Sequence, residues 1–290
     1  MMDGHTTLYG FIAHPAAHSL SPLIHNTSFR ALGINAAYLA FDINTDTLEA
    51  MVAAIRAMGI GGMNLSLPLK TDVIPLLDAV TPRAKRLNAV NTIINRDGQL
   101  TGDTTDGQGF VDALEYQGIQ IAGKRLTILG AGGAGRSIIG AAIDAGVAHI
   151  GVFKRQNATF ADRKRQLESW SDKVSVLPYD DEQAMVQSVS DSQIVVNTTN
   201  VGMAHDQAMP VSQAVMAAIT PQHIIFDAIY FPLVTPFLAA AKIKGAQTFN
   251  GIGMLVQQAA GSFFEWTGQK MPIDQVMAAV NEAVASRQTN

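Results

Sequence analysis

The chain has no cysteine among its 290 residues, which excludes disulfides, thiolate metal sites and a cysteine nucleophile. Charge is also scarce: Asp, Glu, Lys and Arg make up 15% of the residues, 20 cations stand against 24 anions, and the net charge is -4. With no basic surplus to cover a phosphate backbone, a broad nucleic-acid surface is not expected. Long hydrophobic runs are missing too. The apolar stretches are short and broken by Gly and Pro, so none is expected to span a bilayer. The first residues lack a basic segment followed by an apolar run. A cytoplasmic protein without membrane contact is the expectation. His14, His18 and His25 are close in sequence but have no acidic neighbour there, so no metal site is expected. What the chain does have is apolar residues, 48% of the total, enough at this length for about two domains with separate cores.

The most informative stretch is Gly130-Ala131-Gly132-Gly133-Ala134-Gly135. It follows the apolar run Leu126–Leu129 and opens a helix-like segment, Arg136–Ile143. Glycines at that spacing allow a tight turn and let the backbone approach a pyrophosphate at the helix N-terminus. A lone run of this kind also marks ordinary turns; flanked by strand and helix it reads as a dinucleotide fingerprint. An NAD-type site places Asp or Glu at the end of the next strand. Here the strand at 149–153 runs into Lys154-Arg155-Gln156-Asn157, with no acid. Two cations suit a ribose phosphate, so NADP is expected, with NAD as the other candidate. A solvated charged loop ahead of Arg163, Lys164 and Arg165 is the plainer alternative.

The loop starts well over a hundred residues into the chain, so a domain precedes it. Residues 7–12, 37–43 and 62–67 read as strands, with helices between them at Ser21–Gly33 and 46–58. Ser21 is the expected N-cap of the first helix, with Pro22 at its first position. A hairpin, Val90–Asn95 and Gln99–Gly102, is expected to turn at Asp97-Gly98. From Lys124 onward, strand candidates at 126–129, 149–153, 174–177, 193–197 and 223–227 alternate with helical segments. This predicts an α/β fold of two domains: an N-terminal α/β substrate domain and a Rossmann-type doubly wound dinucleotide-binding domain. Helical segments at about 254–266 and 274–286 have no strand to cross to and are expected to pack back on the first domain. The expected division is 1–107 plus 254–290 for the first domain and 108–253 for the second.

Four polar features stand out in the first domain. His18-Ser19-Leu20-Ser21-Pro22 offers hydroxyls and free backbone N–H groups at a helix start, which suit a carboxylate. Asn64-Leu65-Ser66-Leu67-Pro68-Leu69-Lys70 ends in a lysine just past a strand, where the crevice of an open α/β sheet lies. Asn88–Thr92 puts an amide at the start of an apolar strand. Gly102–Gly107 holds Asp103 and Asp106, either of which would serve as a helix cap.

In this order, these motifs resemble those of the shikimate dehydrogenases, as do Asn197–Met203 and Gly251–Ala259. The resemblance runs from about Leu8 to about Val276. It implies reversible, NADP-linked reduction of 3-dehydroshikimate to shikimate, in aromatic amino-acid biosynthesis, with Lys70 and Asp106 as the catalytic pair. It also implies that Ser19 and Ser21 hold the substrate carboxylate with Tyr230 near it, and that Asn64, Ser66, Asn91, Asp106 and Gln258 bind ring hydroxyls. The cofactor would meet Gly130, Ala131, Gly132, Gly133, Ala134 and Gly135, then Lys154, Arg155 and Asn157, then Thr198, Gly202, Met203, Gly251 and Met254. The sequence departs from the common family pattern at Thr104, at Ser66-Leu67-Pro68-Leu69-Lys70 and at Lys154-Arg155-Gln156. The quinate/shikimate branch, which tolerates NAD, is therefore the alternative, although its usual Asp is absent at Asn157. A non-catalytic dinucleotide sensor is the alternative from another class; retention of both Lys70 and Asp106 argues against it. Partners are expected to be small molecules, with the protein a monomer or homodimer.

Overall fold

The computed structural model describes residues 2–288. The chain divides into two compact units, the first running up to Gly109 and resuming over Val256–Glu282, the second comprising Phe110–Leu255 and the residues from Ala283 onward.

The first unit begins with β1 (Thr7–Ala13), α1 (Ser21–Leu32), β2 (Ala36–Asp42), α2 (Leu48–Ala57) and β3 (Gly62–Leu65). It continues through the short α3 (Leu69–Asp72), β4 (Ala79–Val80), α4 (Pro82–Leu87), β5 (Thr92–Arg96), β6 (Gln99–Asp103) and the start of α5 (Asp106–Tyr116). Its six strands are ordered β2-β1-β3-β5-β6-β4. Strands β2, β1 and β3 run parallel, whereas β5 lies antiparallel to β3 and to β6. The first three strands are thus parallel and β5 and β6 form an antiparallel hairpin, both as expected. The reason for the hairpin is local: Asp97 and Gly98 adopt positive φ of 52° and 87°, the paired left-handed geometry that a two-residue hairpin requires. Ile12, Met63, Leu65, Leu69, Val90, Ile93 and Leu100 form the core with Leu48, Val52 and Ile55 of α2.

Two expected boundaries move. The third strand stops at Leu65, because Ser66 opens a turn closed by Leu69 N–H donating to its carbonyl at 3.0 Å. Ser21 is not the N-cap of α1; Leu20 is, and Ser21 is the first helical residue and Pro22 the second. The Ser21 N–H donates instead to Ser19 Oγ at 3.2 Å, leaving the Ser21 hydroxyl clear of capping. On α1, Asn26 turns its side chain to the edge strand: Nδ2 donates to the Tyr38 carbonyl at 2.8 Å, and Oδ1 accepts from the Tyr38 N–H at 2.9 Å.

The second unit alternates strictly. Its elements are β7 (Arg125–Leu129), α6 (Gly133–Asp144), β8 (His149–Lys154), α7 (Phe160–Glu168), β9 (Val174–Pro178) and α8 (Glu182–Asp191). Next come β10 (Ile194–Asn197), α9 (Gln213–Ala218), β11 (Ile224–Asp227), α10 (Pro236–Ile243) and β12 (Gln247–Phe249). The strands pair in parallel in the order β12-β11-β10-β7-β8-β9. The chain therefore reverses its direction of winding between β7 and β10, the point where open α/β sheets bind ligands. Helices cover both faces, so the strands read as continuous apolar runs: β10 is buried at all four positions. One face packs Ile128, Ile138, Val152, Val196 and Phe226, the other Phe153, Val195, Val215, Ile225 and Phe237. Phe110 meets Phe226 edge to face at 4.9 Å, a contact of about 0.5–1.5 kcal/mol beyond its burial.

The last two helices are α11 (Ile252–Thr267) and α12 (Ile273–Gln288). Trp266 of α11 lies in the place a side chain at Gly62 would take: a Cβ there would sit 2.1 Å from its Nε1. That Nε1 donates to the Ile93 carbonyl at 3.0 Å, which fixes α11 against β3 and β5.

Candidate active site

In the first unit, Lys70 and Asp106 are brought together by the chain segments between them. Lys70 stands on α3, and its carbonyl accepts from the Val90 N–H at 2.8 Å, tying α3 to the segment that precedes Asn91. Asp106 is the first residue of α5 and is no cap. Lys70 Nζ donates to Asp106 Oδ2 at 2.6 Å, with the two side chains 23% and 19% exposed. Such a pair is shielded enough to be ordered and open enough to meet a small molecule. The other oxygen, Asp106 Oδ1, accepts from Asn91 Nδ2 at 2.7 Å.

Asn91 is buried and has a fixed orientation. Its Oδ1 accepts from the Thr105 backbone N–H at 3.0 Å, which can only donate, so Nδ2 must face Asp106. Nδ2 also comes within 3.3 Å of Gln258 Oε1 on α11. Asn64, at the end of β3, is buried beside it and donates through Nδ2 to the Asn91 carbonyl at 3.1 Å. Its Oδ1 accepts from Tyr38 Oη at 2.8 Å. Burial raises the Tyr38 pKa well above the usual phenol value, the Ser21 hydroxyl opposing that rise. Ser19 is half-buried beside Ser21, and Ser66 lies half-buried past β3. Asp103, the other acid of that stretch, serves a separate pair: Arg83 Nε and Thr81 Oγ1 donate to it at 2.7 and 2.5 Å. Burial alone would raise its pKa, but these partners hold it below the usual range.

Beneath these residues lies His25, fully buried and stacked on Tyr38 with ring centroids 4.3 Å apart. Neither ring nitrogen makes a hydrogen bond of good geometry. Burial drives the imidazole pKa down to about 3, which Asn64 only partly offsets. His25 is therefore a neutral core residue. Among the described residues no group of His, Asp and Glu could hold a metal ion.

In the second unit, the turn after β7 is built for close approach. Gly130 has φ of 102°, and a Cβ there would stand 2.9 Å from Thr198 Oγ1. At Gly135 a Cβ would come 2.6 Å from the Gly130 carbonyl, so the helix can press on the turn only with glycine there. Thr198, from the loop after β10, donates to the Leu129 carbonyl at 2.9 Å and closes the switch point. In front of Gly132 and Gly133 there is open space, and the first turn of α6 carries no acid. These features leave the N-terminal end of a helix exposed to an anion.

Gly130, Ala131, Gly132, Lys154, Arg155, Asn157 and Thr198 line one cavity of about 570 Å³ with Thr159, Arg163, Tyr179 and Thr199. Lys154 is buried, and its Nζ donates to Asn157 Oδ1 at 2.7 Å. Its pKa is lowered by burial and then by Arg163 and Arg155. Three cations and no carboxylate line this cavity, so a bound phosphate would relieve their mutual repulsion. The geometry fits a dinucleotide with a phosphorylated ribose. The other expected contact residues of this unit, Gly133, Ala134, Gly135, Gly202, Met203, Gly251 and Met254, are not in the cavity lining. Tyr230 belongs to this unit and is 36% exposed.

Arg163 was legible only as part of a charged helix face. The distinguishing signal is its neighbours: Lys164 pairs with Glu168 and Arg165 with Asp162, while Arg163 is the residue of that trio that lines the cavity.

Two family models match the chain: the shikimate dehydrogenase substrate binding domain over residues 11–93 and the shikimate 5'-dehydrogenase C-terminal domain over residues 251–280. A shikimate dehydrogenase (NADP(+)) of Latilactobacillus sakei is 42% identical over 290 residues, covering 98% of this chain and 100% of the relative. Among solved structures, the Listeria monocytogenes shikimate 5-dehydrogenase in complex with shikimate and NAD superposes with a TM-score of 0.92 at 37% identity, covering 96% of this chain and 98% of that one. The Thermus thermophilus enzyme, in complex with NADP(H) and shikimate, gives a TM-score of 0.84 at 32% identity, covering 96% and 100%.

Proposed function

The chain belongs to the shikimate dehydrogenase family, and we propose that it is an NADP-dependent enzyme interconverting 3-dehydroshikimate and shikimate in aromatic amino-acid biosynthesis. The observation that carries this reading is the Lys70–Asp106 pair, ordered at 2.6 Å and still open to solvent.

NADPH, when bound, supplies the hydride that the carbonyl carbon receives. As negative charge develops on the carbonyl oxygen, the Lys70 ammonium donates a proton to it, leaving a neutral amine and the secondary alcohol. Asp106 aims that ammonium, with Asn91 holding its other oxygen. In the reverse direction neutral Lys70 accepts the hydroxyl proton. Ser19 and Ser21 hold the substrate carboxylate. Asn64, Ser66, Asn91, Asp106 and Gln258 hold ring hydroxyls; the fixed orientation of both amides supports selection among hydroxyl positions.

On the cofactor side, the turn from Gly130 to Gly135 receives the pyrophosphate, and Lys154, Arg155 and Arg163 the ribose phosphate, with Asn157 fixing Lys154. Thr198, Gly202, Met203, Gly251 and Met254 complete the contacts. We assign the substrate-binding domain to residues 1–107 with 254–290 and the cofactor-binding domain to 108–253. The enzyme acts in the cytoplasm as a monomer or homodimer on small molecules. Among the described residues no helix is long and apolar enough to cross a membrane.

Steady-state rates with shikimate and quinate, each with NADP and NAD, test the reading through the absorbance of the reduced nicotinamide. Shikimate with NADP is expected to give the highest kcat/KM. Faster quinate oxidation with NAD would replace this reading with the quinate/shikimate branch, and no turnover of either acid would end it.

A further inference from the structure

The hydrogen bonds under the catalytic pair have a direction that no single residue reveals. The Asn91 carbonyl can only accept, so Asn64 must present Nδ2 to it at 3.1 Å, and the Asn64 oxygen then accepts from Tyr38 Oη at 2.8 Å. The same Nδ2 donates to Ser262 Oγ at 2.9 Å. Asn91 Oδ1 is fixed as an acceptor by the Thr105 N–H, so Thr92 Oγ1 donates to it at 2.8 Å. With the Thr92 proton engaged, the 2.7 Å contact between Thr92 and Ser262 requires Ser262 to donate. Its competing acceptors, the Gln258 carbonyl at 3.3 Å and Thr105 Oγ1 at 3.4 Å, are farther. Asn91 Nδ2 then donates to Asp106 at 2.7 Å. Every bond from Tyr38 through Asn64, Ser262, Thr92 and Asn91 points toward the Asp106 carboxylate. Such chains polarise cooperatively.

We propose that Ser262, with Thr92, is a positioning residue for the reaction: it links the two amides, whose orientation the backbone sets, and so determines how rigidly Asn64 and Asn91 are held and how firmly Asn91 holds Asp106. Ser262 is fully buried on α11, one turn beyond Gln258, and acts only through its neighbours. The inference rests on the reading of this unit as the shikimate site. Without the Ser262 hydroxyl, Thr92 loses its closer donor and Asn64 its nearest acceptor, leaving the longer 3.2 Å bond from Asn64 Nδ2 to Thr92 Oγ1 as the link between them, so both amides are held more loosely.

Ser262→Cys keeps the volume but offers only a weak donor. It is expected to lower kcat/KM for shikimate roughly tenfold, the scale of one buried hydrogen bond lost, chiefly through a higher KM, with the KM for NADP unchanged. Thr92→Val should behave alike and Thr92→Ser should recover most of the loss. The double variant Ser262→Cys/Thr92→Val should be no worse than the poorer single one, because both break one chain. Wild-type rates for Ser262→Cys, or losses that multiply in the double variant, would overturn the proposal. If Ser262→Cys does not fold, the contrast between Thr92→Val and Thr92→Ser decides. If the wild-type protein itself turns over no shikimate, the functional reading fails separately. The chain is then read by NMR in the ligand-free protein, where Ser262→Cys must shift the side-chain amide protons of both Asn64 and Asn91. Unmoved signals would refute it.

Discussion

Acid should weaken this fold through His25, by an amount that follows from its surroundings. The ring is wholly buried, stacked on Tyr38 at 4.3 Å and flanked by Trp266 at 5.2 Å. Its pKa of about 3 compares with 6.5 for an exposed imidazole. Between those values the unfolded chain binds a proton that the folded chain refuses, so stability falls as pH drops below 6.5 and stops falling near 3. At about 1.4 kcal/mol for each unit of separation, the loss from pH 7 to pH 5 is about 2 kcal/mol, a large share of the total for an ordinary domain. Urea midpoints of the wild-type protein and of His25→Phe at both pH values isolate the effect, since every other titrating group is shared. The variant is expected to start lower at pH 7, because the larger ring overpacks the cluster by about 1–3 kcal/mol. It should then lose about 2 kcal/mol less on acidification. Parallel losses in the two proteins would refute the argument, as would a histidine NMR titration placing His25 near 6.5.

Three further outcomes test the two units. Replacing Lys70 with Met, or Asp106 with Asn, should lower kcat at least about 100-fold while leaving the urea midpoint nearly unchanged; near-normal turnover would reduce the pair to a structural ion pair. Gly135→Ala should raise the KM for NADPH or unfold the second unit, because the new methyl would stand 2.6 Å from the Gly130 carbonyl; normal cofactor affinity would show that α6 can move. Arg163→Ala should raise the KM for NADPH roughly tenfold, as expected for one lost charge-assisted hydrogen bond, and leave the KM for NADH unmoved. Equal effects on both cofactors would place Arg163 away from the ribose phosphate.

The second unit was the more legible from sequence, for a physical reason. A strand buried on both faces must be apolar throughout, so β7, β8 and β10 stand out, and Gly130 and Gly135 of the turn into α6 are required by contacts under 3 Å. Its one missed strand, Gln247–Phe249, is three residues at the sheet edge, too short for any period to register. In the first unit, β4 has only two residues and left no trace. The N-cap rule misassigned Ser21 because Ser19 supplies the acceptor that a cap would. Lys70 and Asp106 were legible as motif residues, but their shared partners were not. Tyr38, Thr92 and Ser262 look like ordinary members of apolar elements, and only the folded chain brings their hydroxyls into one line. The one available hint was the four-residue step from Gln258 to Ser262, which puts both on one face of α11.

Asn26 bears on how the protein behaves in a crowd of its own copies. Strand β2 ends the first sheet, and an open edge invites a neighbouring chain to add a strand. At Tyr38, the middle of that edge, the outward N–H and carbonyl are both taken by one carboxamide from α1. A second molecule seeking to zip onto the edge would have to evict Asn26 before gaining its first central pair of bonds. The amide thus acts as a guard against runaway polymerisation, and any homodimer the enzyme forms has reason to assemble through some other face.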